Sequence, residues 1–398
     1  MGNDIQQVDF LGKNQGPQTR ITWGPRIATG LDTLKMSFWV DFSSSCLFES
    51  LEKAKQTAQQ EDKDSEPVDL GGFEFNVSRS GVSMFQYRLI RGDIRFLVST
   101  RSHTSNMPNC RLEIGSISCW LPGYNSQYQD FVKMIEFLGG VLVKERVSEA
   151  HLCVDLLGVD IKETPVGDMN YWITRAVTFS PHYTHRKLTG VSIGSGDMML
   201  RVYDKIQELK TVSRQKIEPF MQIWEVDSLD DLEVTRVEFQ VRRSILKEFK
   251  FFGSKPVNTL ADLNNSLSSL WAYLINDWAR LTSAPVDREH NHQSRAESHS
   301  VWQHLKKADF SGLLHVVRST VESVCDVHSL RLQMAGIGMS LAAAAGRGRK
   351  DVEQIIAFAQ GFLEGTIRRL FRDDEEDFGK RMDRKYNRLR LFVDAVAA

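Results

Sequence analysis

The chain has 398 residues, of which 41% are hydrophobic and 25% are charged, and its formal net charge is −1. This composition is typical of a globular protein, and no apolar run reaches the roughly 18 residues that a membrane span needs. The near-zero charge excludes a protein that coats nucleic acid by bulk charge, but it allows a local basic groove. Five cysteines at irregular spacing argue against a zinc site or a disulfide framework. We therefore expect a cytoplasmic protein without a membrane partner.

Before residue 255, short runs of β-branched and aromatic residues alternate with turn signals, which is typical of strands. The predicted strands are Leu34–Phe42, Gly92–Ser99, Cys110–Leu121, His151–Val159, Met199–Tyr203 and Val234–Arg242. Amphipathic stretches at Leu47–Gln60 and Ser126–Gly139 predict helices between them. Residues 1–255 are thus predicted to form an α+β domain with a largely antiparallel sheet, which would carry the chemistry.

After residue 255 the apolar residues follow a helical period. The predicted helices are Leu260–Thr282, one around Trp302–Leu305, Leu313–Gln333, Gly336–Ala345, Asp351–Phe371 and Arg381–Ala397. The polar stretch Ser283–His299 predicts a loop. Residues 256–398 are thus predicted to be a helical region that binds DNA, forms a homodimer, or does both.

The segment with the clearest chemical character begins at the glycine-rich turn Gly194–Gly196. A strand follows on which Arg201, Tyr203 and Lys205 share one face, and it runs into a helix that carries Glu208. A phenol has a pKa near 10 and is a poor nucleophile at neutral pH. Two neighbouring cations would favour the phenolate and would hold a phosphodiester beside it. Attack on phosphorus would then give a phosphotyrosine bond and a free 3′ hydroxyl.

Such a reaction also needs charge neutralisation at the phosphate, for which carboxylate-held Mg²⁺ or Mn²⁺ is the usual means. Asp155 and Glu238 lie between apolar residues of two predicted strands, where an acid is costly to bury unless it is paired or coordinates a metal. Asp32 and Glu113 are further candidates. Taken alone, a strand tyrosine beside an arginine is more often a packing pair, and such acids more often form salt bridges. The residues by themselves leave both readings open.

The order of several motifs resembles one family. Arg201-Val202-Tyr203-Asp204-Lys205-x-x-Glu208, after the Ile193-Gly194 turn, resembles the active-site segment of the Rep_trans-type replication initiation factors of plasmids and phages, which are related to relaxases of integrative conjugative elements. Similar flanking segments are 29–34, 154–156, 235–239 and 270–273, followed by Trp278, Asp287 and Trp302. The likeness covers roughly residues 28–305. One departure is Asp160, which follows Asp155 by five residues where the family pattern leads us to expect four.

The resemblance implies rolling-circle replication initiation, in which one strand is nicked and rejoined through Tyr203 as a 5′-phosphotyrosine. It implies that Asp155 and Glu238 hold Mg²⁺ or Mn²⁺, and that Lys205 and Glu208 support the site. The expected partners are double-stranded origin DNA, the nicked single strand and a host helicase. A relaxase that nicks a transfer origin would use the same chemistry, and an origin-binding protein that does not cut is the alternative from a different class.

Basic residues follow the strand that carries Glu238, namely Arg242, Arg243, Lys247 and Lys250. They would line a path for DNA, whose phosphates attract such side chains. A solvated helix face is an equally good explanation of the same pattern.

Overall fold

The computed structural model describes residues 26–42, 46–251, 255–287, 293–310, 316–318, 327–346 and 352–389. They form an α+β fold with a large antiparallel sheet and C-terminal helices, which confirms the predicted fold class. The chain divides into two compact units, Met1–Arg318 and Ser319–Ala398. The helices between residues 260 and 305 therefore pack in the first unit, whereas the change in sequence texture lies near residue 255. The division into 1–255 and 256–398 stays a prediction about function.

The strands of the first unit are β1 (Arg26–Phe42), β2 (Ser65–Asp69), β3 (Glu74–Ser78), β4 (Tyr87–Arg91), β5 (Ile94–Val98), β6 (Cys110–Ile114), β7 (Gly140–Leu157), β8 (Trp172–Thr174), β9 (Phe179–Thr184), β10 (Lys187–Ser195), β11 (Met198–Asp204), β12 (Val234–Arg242), β13 (Phe249–Phe251), β14 (Lys255–Pro256), β15 (Ala279–Leu281) and β16 (Val316–Arg318). The large sheet has 11 strands in the order β2-β3-β4-β5-β6-β1-β7-β12-β11-β10-β9. The long pair β1–β7 forms its centre, and β12 and β11 continue it on one side.

The helices of the first unit are α1 (Cys46–Gln60), α2 (Ser116–Ser118), α3 (Tyr124–Phe137), α4 (Lys205–Thr211), α5 (Ile217–Trp224), α6 (Arg243–Leu246), α7 (Leu260–Tyr273) and α8 (Ser300–Leu305). The second unit contains α9 (Val327–Ala344), α10 (Val352–Asp373) and α11 (Glu375–Leu389). None of the helices in the described part of the chain combines the length and hydropathy that a membrane crossing requires.

The two faces of the central strands differ in character because side chains alternate along each strand. One face carries apolar rows such as Val154, Val237 and Val202, which are paired across β7, β12 and β11. This face packs against the helix Leu260–Tyr273 and the turn that follows it. The rings of Trp271 and Trp278 in this segment lie 5.5 and 5.9 Å from the ring of Phe239. The opposite face carries the polar residues that the site uses. Both faces of β12 are covered, so it is buried almost throughout.

Three predicted elements end differently from expectation. Leu260–Thr282 is not one helix, because Ala279–Leu281 leaves the helical path to pair with β8. Within the predicted helix Leu313–Gln333, the first described residues form a strand, β16, which pairs with β13. The next described element is α9, which continues without a break to Ala344. The strand predicted over Cys110–Leu121 ends at Ile114, where the Asp93 carboxylate accepts hydrogen bonds that begin α2. In each case a distant partner decides the conformation.

Candidate active site

The pairing of the strands places Tyr203 on the same face of the sheet as three of its predicted partners, Asp155, Glu238 and Arg201. A row of paired residues crosses five strands through Ala28, Asp155, Arg236, Tyr203 and Gly190. The next row on the same face runs through Gly30, Cys153, Glu238, Arg201 and Ser192. The polar face of the sheet therefore presents Tyr203, Arg201, Glu238 and Asp155 together.

The Arg236 guanidinium is fully buried and binds two carboxylates. Its Nε and one terminal nitrogen donate to the two Asp155 oxygens at 2.5 and 2.7 Å, and its other terminal nitrogen donates to Asp32 Oδ1 at 2.5 Å. Trp224 Nε1 donates to Asp155 Oδ2 at 2.9 Å. Both oxygens of Asp155 are thus engaged, and the structure gives it the role of an ion-pair partner. Asp155 is not part of the group of candidate metal ligands found among the described residues, and the metal role predicted for it stays a prediction.

Asp32 reaches this face through an irregularity in β1. The register with β7 shifts between Leu31 and Thr33, so Asp32 has no direct partner in the ladder. Such a β-bulge re-aims a side chain, and bulges are frequent beside active sites. The Asp32 carboxylate consequently points at Arg236, with 19% of the side chain exposed.

Glu238 is the centre of the hydrogen-bond network. Its Oε1 accepts from His151 Nδ1 at 2.9 Å and from Arg201 at 3.0 Å, and its Oε2 accepts from the Tyr203 hydroxyl at 3.1 Å. Burial alone would raise the pKa of this carboxyl, but the His151 bond and the nearby guanidinium groups lower it to about 2. Glu238 is therefore an anion that holds the phenol, the imidazole and one arginine around it.

Tyr203 is a protonated phenol in this arrangement. Burial and the negative charge of Glu238 raise its pKa well above the usual value, although Arg236 opposes them. In the protein alone the raised pKa disfavours the phenolate, so the expected action of Arg201 and Lys205 on the phenol stays a prediction. Arg201 is directed to Glu238 and Gln240, and Lys205 is directed to Glu208.

The remaining motif residues, Asp204, Lys205 and Glu208, lie where β11 ends and α4 begins. Asp204 caps α4, because its carboxylate accepts from the Gln207 backbone N–H at 2.9 Å. Lys205 is the first residue of the helix, and its ammonium nitrogen lies 5.8 Å from the centre of the Tyr203 ring. Its ammonium group is buried, donates to Glu208 Oε2 at 2.6 Å and lies 4.6 Å from the centre of the Phe220 ring. Burial and the charge of Arg236 lower the pKa of Lys205. The prediction that the tyrosine strand runs into a helix carrying Glu208 is confirmed.

Three residues on this face offer atoms that could hold a metal ion. Among the described residues, Asp32, His151 and Glu238 each present one ligand atom, and these atoms lie within 4.8 Å of one another. Two carboxylates and an imidazole suit Mn²⁺ better than Mg²⁺, which prefers oxygen ligands throughout. The donor set suits a divalent ion: it includes the candidates Asp32 and Glu238 and adds His151, and the predicted ligand set stays a prediction.

His151 and Glu149 are the site residues that the sequence reasoning missed. His151 Nε2 lies 2.9 Å from Glu149 Oε1, and Glu149 also accepts from Lys35 at 2.9 Å and from Arg242 at 3.0 Å. Burial lowers the pKa of His151, but its two carboxylate partners outweigh burial and raise it. Metal ligation by His151 would displace that proton, as ligation of imidazole requires. The available signal was the two-residue spacing of Glu149, His151, Cys153 and Asp155, which places them on one strand face.

Other predicted residues lie around this centre. Glu113 is on β6, 3.8 Å from Arg95 and 4.0 Å from Arg111, and is not part of the metal group. Asp160 caps a short turn by accepting from the Lys162 backbone N–H at 2.9 Å.

Four basic residues were predicted to contact DNA. Arg242 donates to Glu149, and Arg243 donates to the Val257 carbonyl and to Asn258. Lys247 is exposed, and Lys250 is half-buried.

Aromatic side chains cover one part of the face. The Trp120 and Phe220 rings lie 5.7 and 4.9 Å from the Arg236 guanidinium. At Gly30 a Cβ atom would lie 2.9 Å from Trp120 Cε2, so glycine is what lets the indole rest on β1. This cover keeps water from Arg236 and Asp155, which accounts for their complete burial.

Comparison with known proteins gives a likeness to solved structures and no match in sequence. No family model matches the chain, and no curated protein matches it. The chain is similar to a solved structure described as a rolling circle replication initiator protein from Geobacillus stearothermophilus, with a TM-score of 0.39 and 11% sequence identity. The likeness covers 74% of this chain and 100% of that chain. A TM-score this low says nothing about the residues of the site.

Proposed function

We propose that this chain is a metal-dependent DNA nicking and closing enzyme that initiates rolling-circle replication. The observation that carries the proposal is the contact between the Tyr203 hydroxyl and Glu238 Oε2 at 3.1 Å, because Glu238 also belongs to the Asp32, His151 and Glu238 group. A nucleophile and a candidate metal ligand are thus joined by one hydrogen bond. The motif order around Tyr203 supplies the substrate class, a DNA strand.

In the proposed reaction, the Tyr203 oxygen attacks phosphorus and forms a phosphotyrosine bond to the 5′ side. The bond from phosphorus to the 3′ oxygen breaks, and that oxygen takes up a proton to become the free hydroxyl. The phenol proton passes to Glu238, its hydrogen-bond partner. Attack by a 3′ hydroxyl on the phosphotyrosine reverses these steps and closes the strand.

The raised pKa of Tyr203 and the lowered pKa of Glu238 make this proton transfer unfavourable in the protein alone. A divalent cation held by Asp32, His151 and Glu238 would neutralise charge at the phosphate and favour the phenolate. Arg201 has 31% of its side chain exposed beside Tyr203, so it is placed to hold a phosphate oxygen. Asp155 holds Arg236 in position, and Lys205 and Glu208 form an ion pair under the tyrosine.

The test is nicking of supercoiled plasmids that carry fragments of the DNA on which the gene resides. We expect wild-type protein with Mn²⁺ to give open circles and a covalent protein–DNA adduct, and Tyr203→Phe to give neither. Tyr171→Phe, at a half-buried tyrosine outside the site, is the matched control and should nick normally. Chelation by EDTA should stop the reaction, and added Mn²⁺ should restore it.

Two results would contradict the proposal in different ways. Nicking by Tyr203→Phe at the wild-type rate would remove the tyrosine from the chemistry. Specific binding of one fragment without any nicking would favour an origin-binding protein that does not cut. If the nicked fragment proved to be a transfer origin, the same chemistry would belong to a relaxase.

A further inference from the structure

The edge of the large sheet next to Tyr203 is built from β10 and then β9. Gly190 pairs with Tyr203 on one side and with His182 on the other, and Ser192 pairs in the same way with Arg201 and Ser180. Directly paired residues share a face, so β9 and β10 extend the Tyr203 face to the sheet edge. The edge platform is defined here as Ser180, His182, Thr184, Lys187, Gly190 and Ser192.

Exposure is greater at the sheet edge than at its centre, although Gly190 is itself buried. Asp155 and Arg236 are fully buried under the aromatic cover, whereas the Arg201 side chain is 31% exposed. Ser192 is half-buried, and His182 is exposed. Within the described part of the first unit, the approach to the Tyr203 hydroxyl is therefore more open from the edge platform than from the Arg236 side.

The residues of β10 next to Tyr203 on this face, Gly190 and Ser192, have small side chains. Between Tyr203 and His182 the row contains only the buried Gly190, so the row itself places no side chain between the phenol and the imidazole over two strand spacings, roughly 10 Å. A Cβ atom at Gly190 would lie 3.0 Å from Tyr203 Cβ. His182 Nε2 lies 2.9 Å from Ser192 Oγ, which fixes the imidazole on this face.

The charge of this region differs from that of the rest of the chain. No Asp or Glu occurs from Met169 to Gly196, whereas the whole chain contains 51 such residues among 398. The same stretch contains Arg175, Arg186 and Lys187, and the last two are exposed at the tip of the β9–β10 hairpin. A chain with net charge −1 thus carries a purely basic edge beside its candidate nucleophile.

We propose that the edge platform and the adjoining Arg186 bind the single strand of DNA that leads to Tyr203. The proposal rests on the proposed function for the identity of the strand. An open basic surface with a ring suited to base stacking is how proteins hold single strands without sequence preference. His182 provides the ring, and Arg186 and Lys187 provide phosphate contacts. The platform continues directly into the Tyr203 row, so a strand lying on it reaches the phenol without crossing another element.

The binding test uses Tyr203→Phe protein in EDTA, so that its result does not depend on nicking. The probes are fluorescein-labelled single-stranded oligo(dT) of 20 nucleotides and a 20-base-pair duplex, and anisotropy is measured from 50 to 300 mM NaCl. The charge variant is Arg186→Asn with Lys187→Gln, because Asn tolerates the φ of 66° at position 186. Lys53→Gln with Lys133→Gln removes the same charge from exposed helix positions and is the matched control.

We expect the charge variant to bind the single strand at least tenfold more weakly at 100 mM NaCl. The slope of log affinity against log salt should become shallower by about 1.4, since each lost phosphate contact on a single strand contributes about 0.7. His182→Ala should weaken binding about fivefold or more through lost base stacking. The control pair should stay within twofold of the parent.

Three outcomes would overturn the proposal: no binding of the single strand by the parent protein, equal affinities for the charge variant and the control, or equal losses on single strand and duplex. Failure of the proposed function is distinguishable from all of them. A wild-type protein that binds the single strand through the platform but never nicks would refute the nicking activity and leave the binding surface standing.

Discussion

The charged side chain of Arg236 is fully enclosed by protein. Asp155 holds it with two hydrogen bonds, and Asp32 holds it with one. A buried pair of this kind contributes little net stability over an apolar pair, but removing one partner leaves an uncompensated charge. The pair also joins β12, which carries Glu238, to its neighbour β7.

Asp155→Asn should lower the free energy of unfolding by about 3–5 kcal/mol, because the Arg236 charge would stay buried without its main counter-ion. Urea unfolding monitored by tryptophan fluorescence measures this change. Asp160→Asn is the control, since Asp160 is half-buried and pairs with the partly exposed Lys162, and it should cost less than about 0.5 kcal/mol. Equal and small effects of the two substitutions would show that Arg236 does not depend on Asp155.

The cluster of Glu149, His151 and Glu238 predicts how stability depends on pH in metal-free protein. Burial opposes ionisation of the two carboxyls, but their hydrogen bonds to His151 lower both pKa values to about 2. Their contribution is therefore present above an unfolded pKa of about 4.3 and is lost as the pH falls toward 2. The raised pKa of His151 contributes stability below about 6.5 that is lost as the pH rises through its folded value.

We thus expect the free energy of unfolding in EDTA to be greatest between about pH 4.5 and 6.5 and to fall by a few kcal/mol toward pH 2. Glu149→Gln should flatten the acid side of this curve, because one depressed carboxyl is removed. Glu136→Gln, on an exposed helix position, should leave the curve unchanged. Parallel curves for Glu149→Gln and wild type would contradict the assignment.

N-terminal caps fix where two helices near the site begin. The cap at Asp204 starts α4 one residue after the tyrosine strand, which turns Lys205 under the ring of Phe220. On the other face, α7 begins with a capping box between Thr259 and Asp262. This helix carries Trp271, whose ring supports Phe239 directly behind Glu238.

Thr259→Ala should lower the free energy of unfolding by about 1 kcal/mol, since the hydroxyl that accepts from the Asp262 backbone N–H at 3.1 Å is lost. Thr259→Ser keeps that acceptor and should recover most of the loss. Thr57→Ala, at an exposed position within α1, is a second control. Thermal unfolding of the three variants measures the effect, and a serine variant as unstable as the alanine variant would exclude the cap as its cause.

At the scale of the molecule, the tyrosine, the metal group and the edge platform all belong to the compact unit that ends at Arg318. The last strand of that unit, β16, pairs with β13, and Arg318 forms an ion pair with Glu248 at 2.8 Å. The helices α9, α10 and α11 form the other unit. The proposed chemistry therefore depends on residues of one unit.

A chain that ends after Arg318 should fold cooperatively and keep the metal-dependent nicking activity. A chain that ends after Phe310 lacks β16 and should unfold at a lower temperature, because β13 loses its partner. Calorimetry and the nicking assay on both chains give the comparison. Loss of nicking by the longer chain, with its fold intact, would assign the C-terminal helices a part in the reaction.

The sequence by itself determined the elements whose signal is local. Alternating residues predicted β12 and the strand of Tyr203, and helical periodicity predicted α1 and α3. The motif order pointed to Tyr203, Asp155 and Glu238 as members of one site, and Asp32 was a further candidate. Only the tertiary structure decided which acids lie together in the candidate metal group, because that depends on strand register and on the bulge at Asp32. His151 joined the site for the same reason: its partners lie 87 residues away on β12 and two residues away on its own strand. Local pattern fixes the face of a strand, but contacts between distant strands fix which groups on that face meet.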